Sequence, residues 1–317
     1  MKKIFLLLSI FLIFPASVLA TDLEVSFDST PLFNISNMAP GDPPVIKNFT
    51  VKNNSAINQA VGIKATKTNG NGLETGLNTT IGPYWSGKLS NLLGSEKFIT
   101  ILFPGEIRII PISVILPIST GDEYQNKSVT FNIDVGVIQS DHLLISEVYY
   151  LNYHKKPKKE TGLLCRLLRH AAVRKFLDCD EERIYSEWIE LYNPTVKAVR
   201  LKDWQIANSS QFLKIRNNFV LDPGKFVLLA KDHEDLKYFP VPKKTRVISL
   251  GNWFKNGLNK NFDQVRLLNS QTKEVDQVSW GTEIPPAVNG QSLQRLAPGW
   301  DTDSPSDWQN NTPNPGK

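Results

Sequence analysis

The stretch Glu187-Trp188-Ile189-Glu190-Leu191-Tyr192-Asn193 decides how the second half of this chain folds. Successive side chains of an extended strand point to opposite faces. Trp188, Glu190 and Tyr192 therefore face one way, and Glu187, Ile189 and Leu191 face the other. Ile189 and Leu191 suit a core, whereas Trp188 and Tyr192 suit an outer face or an adjoining loop. The same alternation separates Glu187 from Glu190, so shared acid–base work by that pair is not expected.

Further blocks of the same kind lie on either side: Leu143-Leu-Ile-Ser-Glu-Val148, Leu201-Lys-Asp-Trp-Gln-Ile206 and Leu221-Asp-Pro-Gly-Lys-Phe-Val-Leu-Leu229. Asp263-Gln-Val-Arg-Leu-Leu268, Val275-Asp-Gln-Val-Ser-Trp-Gly281 and Gly290-Gln-Ser-Leu-Gln-Arg-Leu296 follow, and the chain closes on Thr312-Pro-Asn-Pro-Gly316. Pro223-Gly224 fits a type II turn, because Pro sets φ at the second position and Gly supplies the positive φ at the third. Asn289-Gly290 is a similar turn. The order and spacing of these blocks over residues 143–317 resemble the lamin-tail domain, which implies an immunoglobulin-like sandwich. Asp203 departs from the pattern, standing where a Gly often precedes the Trp. The first two strands are also separated by a long insert.

Residues 22–138 read as strands too. Leu23, Val25 and Phe27 alternate with polar residues, as do Phe49 with Val51, Val61 with Ile63, and Val129 through Val135. A run rich in Ile and Val spans Ile107 to Leu116, and Pro40-Gly41-Asp42, Asn69-Gly-Asn-Gly72, Pro104-Gly105 and Thr120-Gly121-Asp122 punctuate the strands. Many short strands separated by turns predict a β-sandwich. The segments Phe33 to Asp42, Lys47 to Asn54 and Glu123 to Phe131 resemble the TasA/camelysin family of exported bacterial surface and fibre proteins. That resemblance implies a jelly-roll-like fold and assembly by strand donation. The peptidase activity attributed to part of that family is not expected here, because no His-Glu-x-x-His occurs. The fold class predicted is thus all-β: two consecutive β-sandwich domains, jelly-roll-like over 21–140 and immunoglobulin-like over 141–317, with one short helical insert at 152–184.

Residues 1–20 combine Lys2 and Lys3, an apolar run from Ile4 to Phe14 and small residues ending at Ala20. This is the pattern of a signal peptide, and a secreted or cell-surface location is expected. The 317 residues carry 36 Lys plus Arg against 31 Asp plus Glu, a net charge of +5. The excess is local. Lys155, Lys156, Lys158, Lys159, Arg166, Arg169, Arg174 and Lys175 crowd one segment that holds a single acid, Glu160. This argues against a generally basic nucleic-acid-binding surface. Within the insert, Leu163, Leu164, Leu167, Leu168, Ala171, Ala172 and Phe176 recur at helical steps. Three readings stand: a helix laid on the sandwich, docking to an anionic surface (lipid, wall polymer or extracellular DNA), or contact with a partner protein. Cys165 and Cys179 form a candidate disulfide, favoured by export. One continuous helix would hold them ~21 Å apart, so either the helix breaks or both thiols stay free. A metal site using them with His170 and His154 fits no recognised spacing.

No nucleophile elbow, P-loop or dinucleotide fingerprint occurs, and the four His are scattered. The acidic loop Asp301 to Asp307 lacks the complete calcium-loop pattern and reads as structural. No cofactor, catalytic residue or small-molecule substrate is expected. The expected function is adhesion, scaffolding or assembly, with the chain itself or other surface proteins as partners. The alternatives are a binding module for nucleic acid, anionic polymer or lipid acting through the basic insert, and a hydrolase.

Overall fold

The computed structural model describes residues 22–150, 154–156, 182–184, 187–237, 239–288 and 290–317, with backbone alone at 154–156, 182–184 and 234–235. The chain divides into two compact units, Met1–Gln139 and Ser140–Lys317. Almost all regular structure is β, as the alternating patterns imply. A one-turn helix, Leu89–Leu92, is the longest α-helix among the described residues.

The first unit contains β1 (Leu23–Phe27), β2 (Val45–Asn53), β3 (Gln59–Gly70), β4 (Asn78–Ile81), β5 (Trp85–Lys88), β6 (Lys97–Leu102), β7 (Ile107–Ile115) and β8 (Val129–Val137). They form a five-stranded sheet in the order β1-β2-β7-β4-β5 and a three-stranded sheet in the order β6-β3-β8. Phe49, Val51, Ile110, Ile112 and Val114 of the larger sheet join Ile63, Ile99, Phe131 and Ile133 of the smaller in one buried core. β8 shows the period of two in full: Val129, Phe131, Ile133 and Val135 are buried, and the residues between them are not. The opposite face of the large sheet follows from register. Ile107 pairs with Lys52, Ile109 with Thr50, Pro111 with Asn48 and Ser113 with Ile46, and directly paired residues share a face.

The second unit contains β9 (Leu144–Tyr149), β10 (His154–Lys156), β11 (Glu182–Ile184), β12 (Trp188–Tyr192), β13 (Val199–Arg200), β14 (Gln205–Ala207), β15 (Phe212–Lys214) and β16 (Val220–Leu221). It continues with β17 (Phe226–Ala230), β18 (Arg246–Ser249), β19 (Asp263–Leu268), β20 (Glu274–Trp280), β21 (Ser292–Arg295) and β22 (Trp308–Asn311). A six-stranded sheet, β18-β17-β12-β9-β21-β22, packs on a four-stranded sheet, β15-β14-β19-β20. Ile189, Leu191, Ile145, Val148, Val227, Leu229 and Leu293 of the first meet Ile206, Val265, Leu267, Val278 and Trp280 of the second. Tyr150 stacks on Trp280 at 4.2 Å between ring centres and closes one end of this core.

β9 and β12 are buried along their whole length, on both faces. On the outer face a smaller cluster of Tyr149, Trp188, Leu228, Ala230 and Leu236 is roofed by Phe239 and Val241. Trp188 thus lies on the outer face under a loop, as its parity implies. The predicted turns are present: Gly224 has φ +66 with Lys225 N–H donating to Asp222 O, and Gly290 has φ +82 with Gln291 N–H donating to Val288 O. The described ends of the insert, β10 and β11, pair antiparallel, Lys155 with Arg183 and Lys156 with Glu182. The expected helix lies outside the described residues.

Candidate functional site

Two buried carboxyls face each other in the second unit where β9, β12 and β21 run side by side. Glu190 on β12 is directly opposite Glu147 on β9, which in turn is opposite Gln294 on β21. A β-bulge makes this arrangement. The register shifts between Glu190 and Leu191, so Ser146 is an extra residue on β9, and two consecutive polar side chains, Ser146 and Glu147, turn to the outer face. Both glutamates are almost wholly buried, at 2 % exposure each.

Glu147 Oε1 accepts from Ser292 Oγ, from Gln294 Nε2 at 3.1 Å and from the Asn314 amide at 3.2 Å. Its Oε2 has no hydrogen-bond partner among the described residues. Glu190 accepts from Ser146 Oγ at 2.7 Å and from the Gly316 amide. Burial pushes the Glu147 carboxyl from 4.5 up to about 7, against the lowering effect of its three donors. Glu190 is raised well above the ordinary carboxylate range, by burial first and by the facing Glu147 second. The two facing carboxyls therefore resist ionising together. Ser146 and Ser292 donate to these carboxyls and are themselves buried, so neither hydroxyl is open to a substrate.

A second network secures the other side of the bulge. The backbone of Ile145 is satisfied by side chains: its N–H donates to Asp276 Oδ2 at 2.6 Å, and its carbonyl accepts from Arg295 Nε at 3.1 Å. The Arg295 guanidinium is fully buried: its Nη2 donates to both Oδ1 and Oδ2 of Asp276 at 3.0 Å, its Nη1 donates to Asp301 at 2.6 Å, and it lies 4.5 Å over the Trp308 ring. Burial raises Asp276, with Arg295 opposing. Burial raises Asp301 too, but Arg295, the Asp303 amide and Asp307 together bring it below its usual value. The loop read as calcium-like in composition is thus tied to Arg295. Asp307 caps its turn, accepting from Thr302 N–H and Oγ1. A polar cleft of about 150 Å³ opens beside it, lined by Gln277, Ser279, Glu283, Asp301, Asp303 and Trp308.

Glu187 and Glu190 do part company. Glu187 accepts from Trp253 Nε1 and from the Leu258 amide, pinning a loop in which Gly257 has φ +67 and leaves no room for a Cβ beside the carboxylate. Of the basic residues singled out in the sequence, Lys155 and Lys156 have described backbone on β10. Lys158, Lys159, Arg166, Arg169, Arg174, Lys175, Cys165 and Cys179 lie outside the described residues. Among the described residues no group of three or more His, Cys, Asp or Glu could hold a metal. No described helix is long and apolar enough to cross a membrane. Sequence reasoning missed the Glu147–Glu190 pair. The signal was Ser146-Glu147 set between Ile145 and Val148, two adjacent polar residues inside an apolar strand.

Two packed sheets with a roofed outer face, whose buried charges are spent on tying loops and a bulge together, define an immunoglobulin-like sandwich. Residues 139–282 match the family model of the Lamin Tail Domain, a match that lies over most of the second unit. The match ends before β21 and β22, which the structure nonetheless places in the same six-stranded sheet. No curated protein matches the chain. Among solved structures, a DUF4876 family protein from Bacteroides thetaiotaomicron VPI-5482 is similar at 10% identity and a TM-score of 0.25, over 84% of this chain and 66% of that one. Red sea bream transglutaminase is similar at 10% identity and a TM-score of 0.18, over 82% of this chain and 31% of that one. The chain thus spans 66% of the first of these and 31% of the second. The comparisons lend no support to the resemblance of the first unit to the TasA/camelysin family.

Proposed function

We propose that this chain is an exported, non-catalytic contact protein of a cell surface or extracellular matrix, and that it assembles by pairing with a second copy of itself through its first unit. One observation carries this reading. The central strand of the five-stranded sheet presents an apolar row to solvent: Ile107 at 60 % and Ile109 at 66 % exposure, with Pro111 beyond them and Ile46 at 57 % on the neighbouring strand. An outward sheet face normally carries polar side chains at such positions.

Size and charge favour a second copy as the occupant. β2 and β7 run nine residues, β1 five and β4 and β5 four each, so the sheet offers a face of roughly 500 Å². Covered on two copies, it buries roughly 1,000 Å², the size of a reversible interface. The β1 flank carries Glu24, with Asp28 just past the strand and Lys52 of β2 3.7 Å from Glu24, and the β5 flank carries Lys88. A two-fold axis along the strands sets each flank over its opposite. The signal-like residues 1–20 support export. Sedimentation velocity over rising concentration tests the reading: the chain associates, and an Ile107→Lys, Ile109→Lys variant remains monomeric. A wild-type chain that stays monomeric at high concentration overturns it.

A further inference from the structure

The motif Thr312-Pro313-Asn314-Pro315-Gly316 follows β22 and leaves the sheet edge to cross its outer face. Proline has no amide hydrogen, so between 313 and 316 the chain has two backbone donors, those of Asn314 and Gly316. Both are spent on the buried carboxyl pair: Asn314 donates to Glu147, and Gly316 to Glu190. Gln294 Nε2 holds the Thr312 carbonyl at 2.6 Å, and Pro315 is buried. Gly316 has φ +81, and a Cβ there would collide with Thr245 Oγ1 and Pro242. The segment is therefore a strap fitted to one place on the sheet, and two adjacent carboxyls are its anchors.

We propose that Thr312–Lys317 is a proton-gated latch, seated on β9 and β12 while the Glu147–Glu190 pair keeps a proton and displaced when both carboxyls ionise. The geometry gives the gate its sense. Glu147 and Glu190 face each other across one strand pair, buried, and Oε2 of Glu147 has no donor among the described residues. Two charges in that space repel, and water reaches them only if the strap leaves. Among the described residues no cation packs on the pair from the neighbouring elements. β21 offers Ser292 and Gln294, and β22 offers Gln309 and Asn311. β9 and β12 add Tyr149 and Tyr192, and β17 adds Leu228. Lys317 on the strap, and Lys243 and Lys244 on the loop beside Gly316, are exposed to solvent. The direction of both carboxyl shifts agrees with a pair that resists double ionisation.

Hydrogen exchange on the full chain tests the latch. Protection factors of the Asn314 and Gly316 amides, which correct for the intrinsic pH dependence of exchange, fall about tenfold or more between about pH 6 and about pH 9. In a Glu147→Gln, Glu190→Gln variant they stay flat. The single Glu147→Gln variant, which retains one carboxyl, serves if the double variant does not fold, and its profile is flatter than the wild type's. Gly316→Ala forces the strap off its seat and lowers protection at every pH. Wild-type protection that does not change with pH, or a variant profile as steep as the wild type's, overturns the proposal.

Discussion

The outer faces of the two large sheets invert the usual placement of residues. In the first unit Ile107 and Ile109 stand in solvent on β7, at the end of that strand that pairs with β2 and not with β4. In the second, at the centre of a sheet, Glu147 and Glu190 are buried. Polarity therefore does not decide which face is covered; the segments that cross it do. Leu236, Phe239 and Val241 and the strap 312–317 roof the second face, and donors from β9, β21 and the strap replace the water its carboxyls lose. Over β7 the first unit has no such roof among its described residues, so its apolar row remains available.

The contrast is most exposed to test at Arg295. Replacing it by Ala leaves Asp276 and Asp301 buried and uncompensated, and strips the Ile145 carbonyl of its donor. Chemical denaturation of the variant should show a loss of about 3–5 kcal/mol in the transition of the second unit, with the first unit's transition unchanged. A loss below ~1 kcal/mol would mean that the roofed face does not depend on its buried charge.

Glu147 provides the next largest effect, with a definite sign. A carboxyl raised from 4.5 to about 7 in the folded unit binds a proton that the unfolded chain releases. The stability it contributes is complete below about pH 4.5 and is lost as pH rises through about 7. Glu147→Gln removes that loss, so above pH 7 the variant should be the more stable by up to roughly 3 kcal/mol, the difference vanishing toward pH 5. Thermal unfolding across that range reads it, and equal slopes in the two proteins would contradict the assignment.

The strand cores were legible because alternation is a local signal: β1, β2, β3, β8 and β12 stand where the period of two placed them. β4 and β5 were not legible. Asn78-Thr-Thr-Ile81 and Trp85-Ser-Gly-Lys88 are short and mostly polar, and only pairing with β7 makes a strand of the first. Asp203 was legible as an anomaly, and the structure explains it. It has φ +71, the left-handed conformation that Gly adopts freely and that Asp tolerates, with Lys214 3.0 Å from its carboxylate. The buried pair was hidden because it needs a bulge and a strap 167 residues away in sequence. Neither leaves a periodic trace.

Ile109 and Ile110 compress the whole comparison into adjacent residues. Ile109 is 66 % exposed and Ile110 is fully buried in the core beside Phe49, so one chemical change samples both kinds of face. Ile110→Thr buries a hydroxyl and removes a methylene-sized volume from the packed interior, at about 2 kcal/mol or more. Ile109→Thr keeps the β-branch that favours a strand and loses little burial, so monomer stability at low concentration should change by less than ~0.5 kcal/mol. The same substitution should nevertheless weaken self-association measurably, because the apolar area it removes is buried only between copies. If Ile109→Thr instead destabilises the monomer as much as Ile110→Thr does, that face is already covered within one chain, and the distinction between a bare sheet and a roofed one disappears.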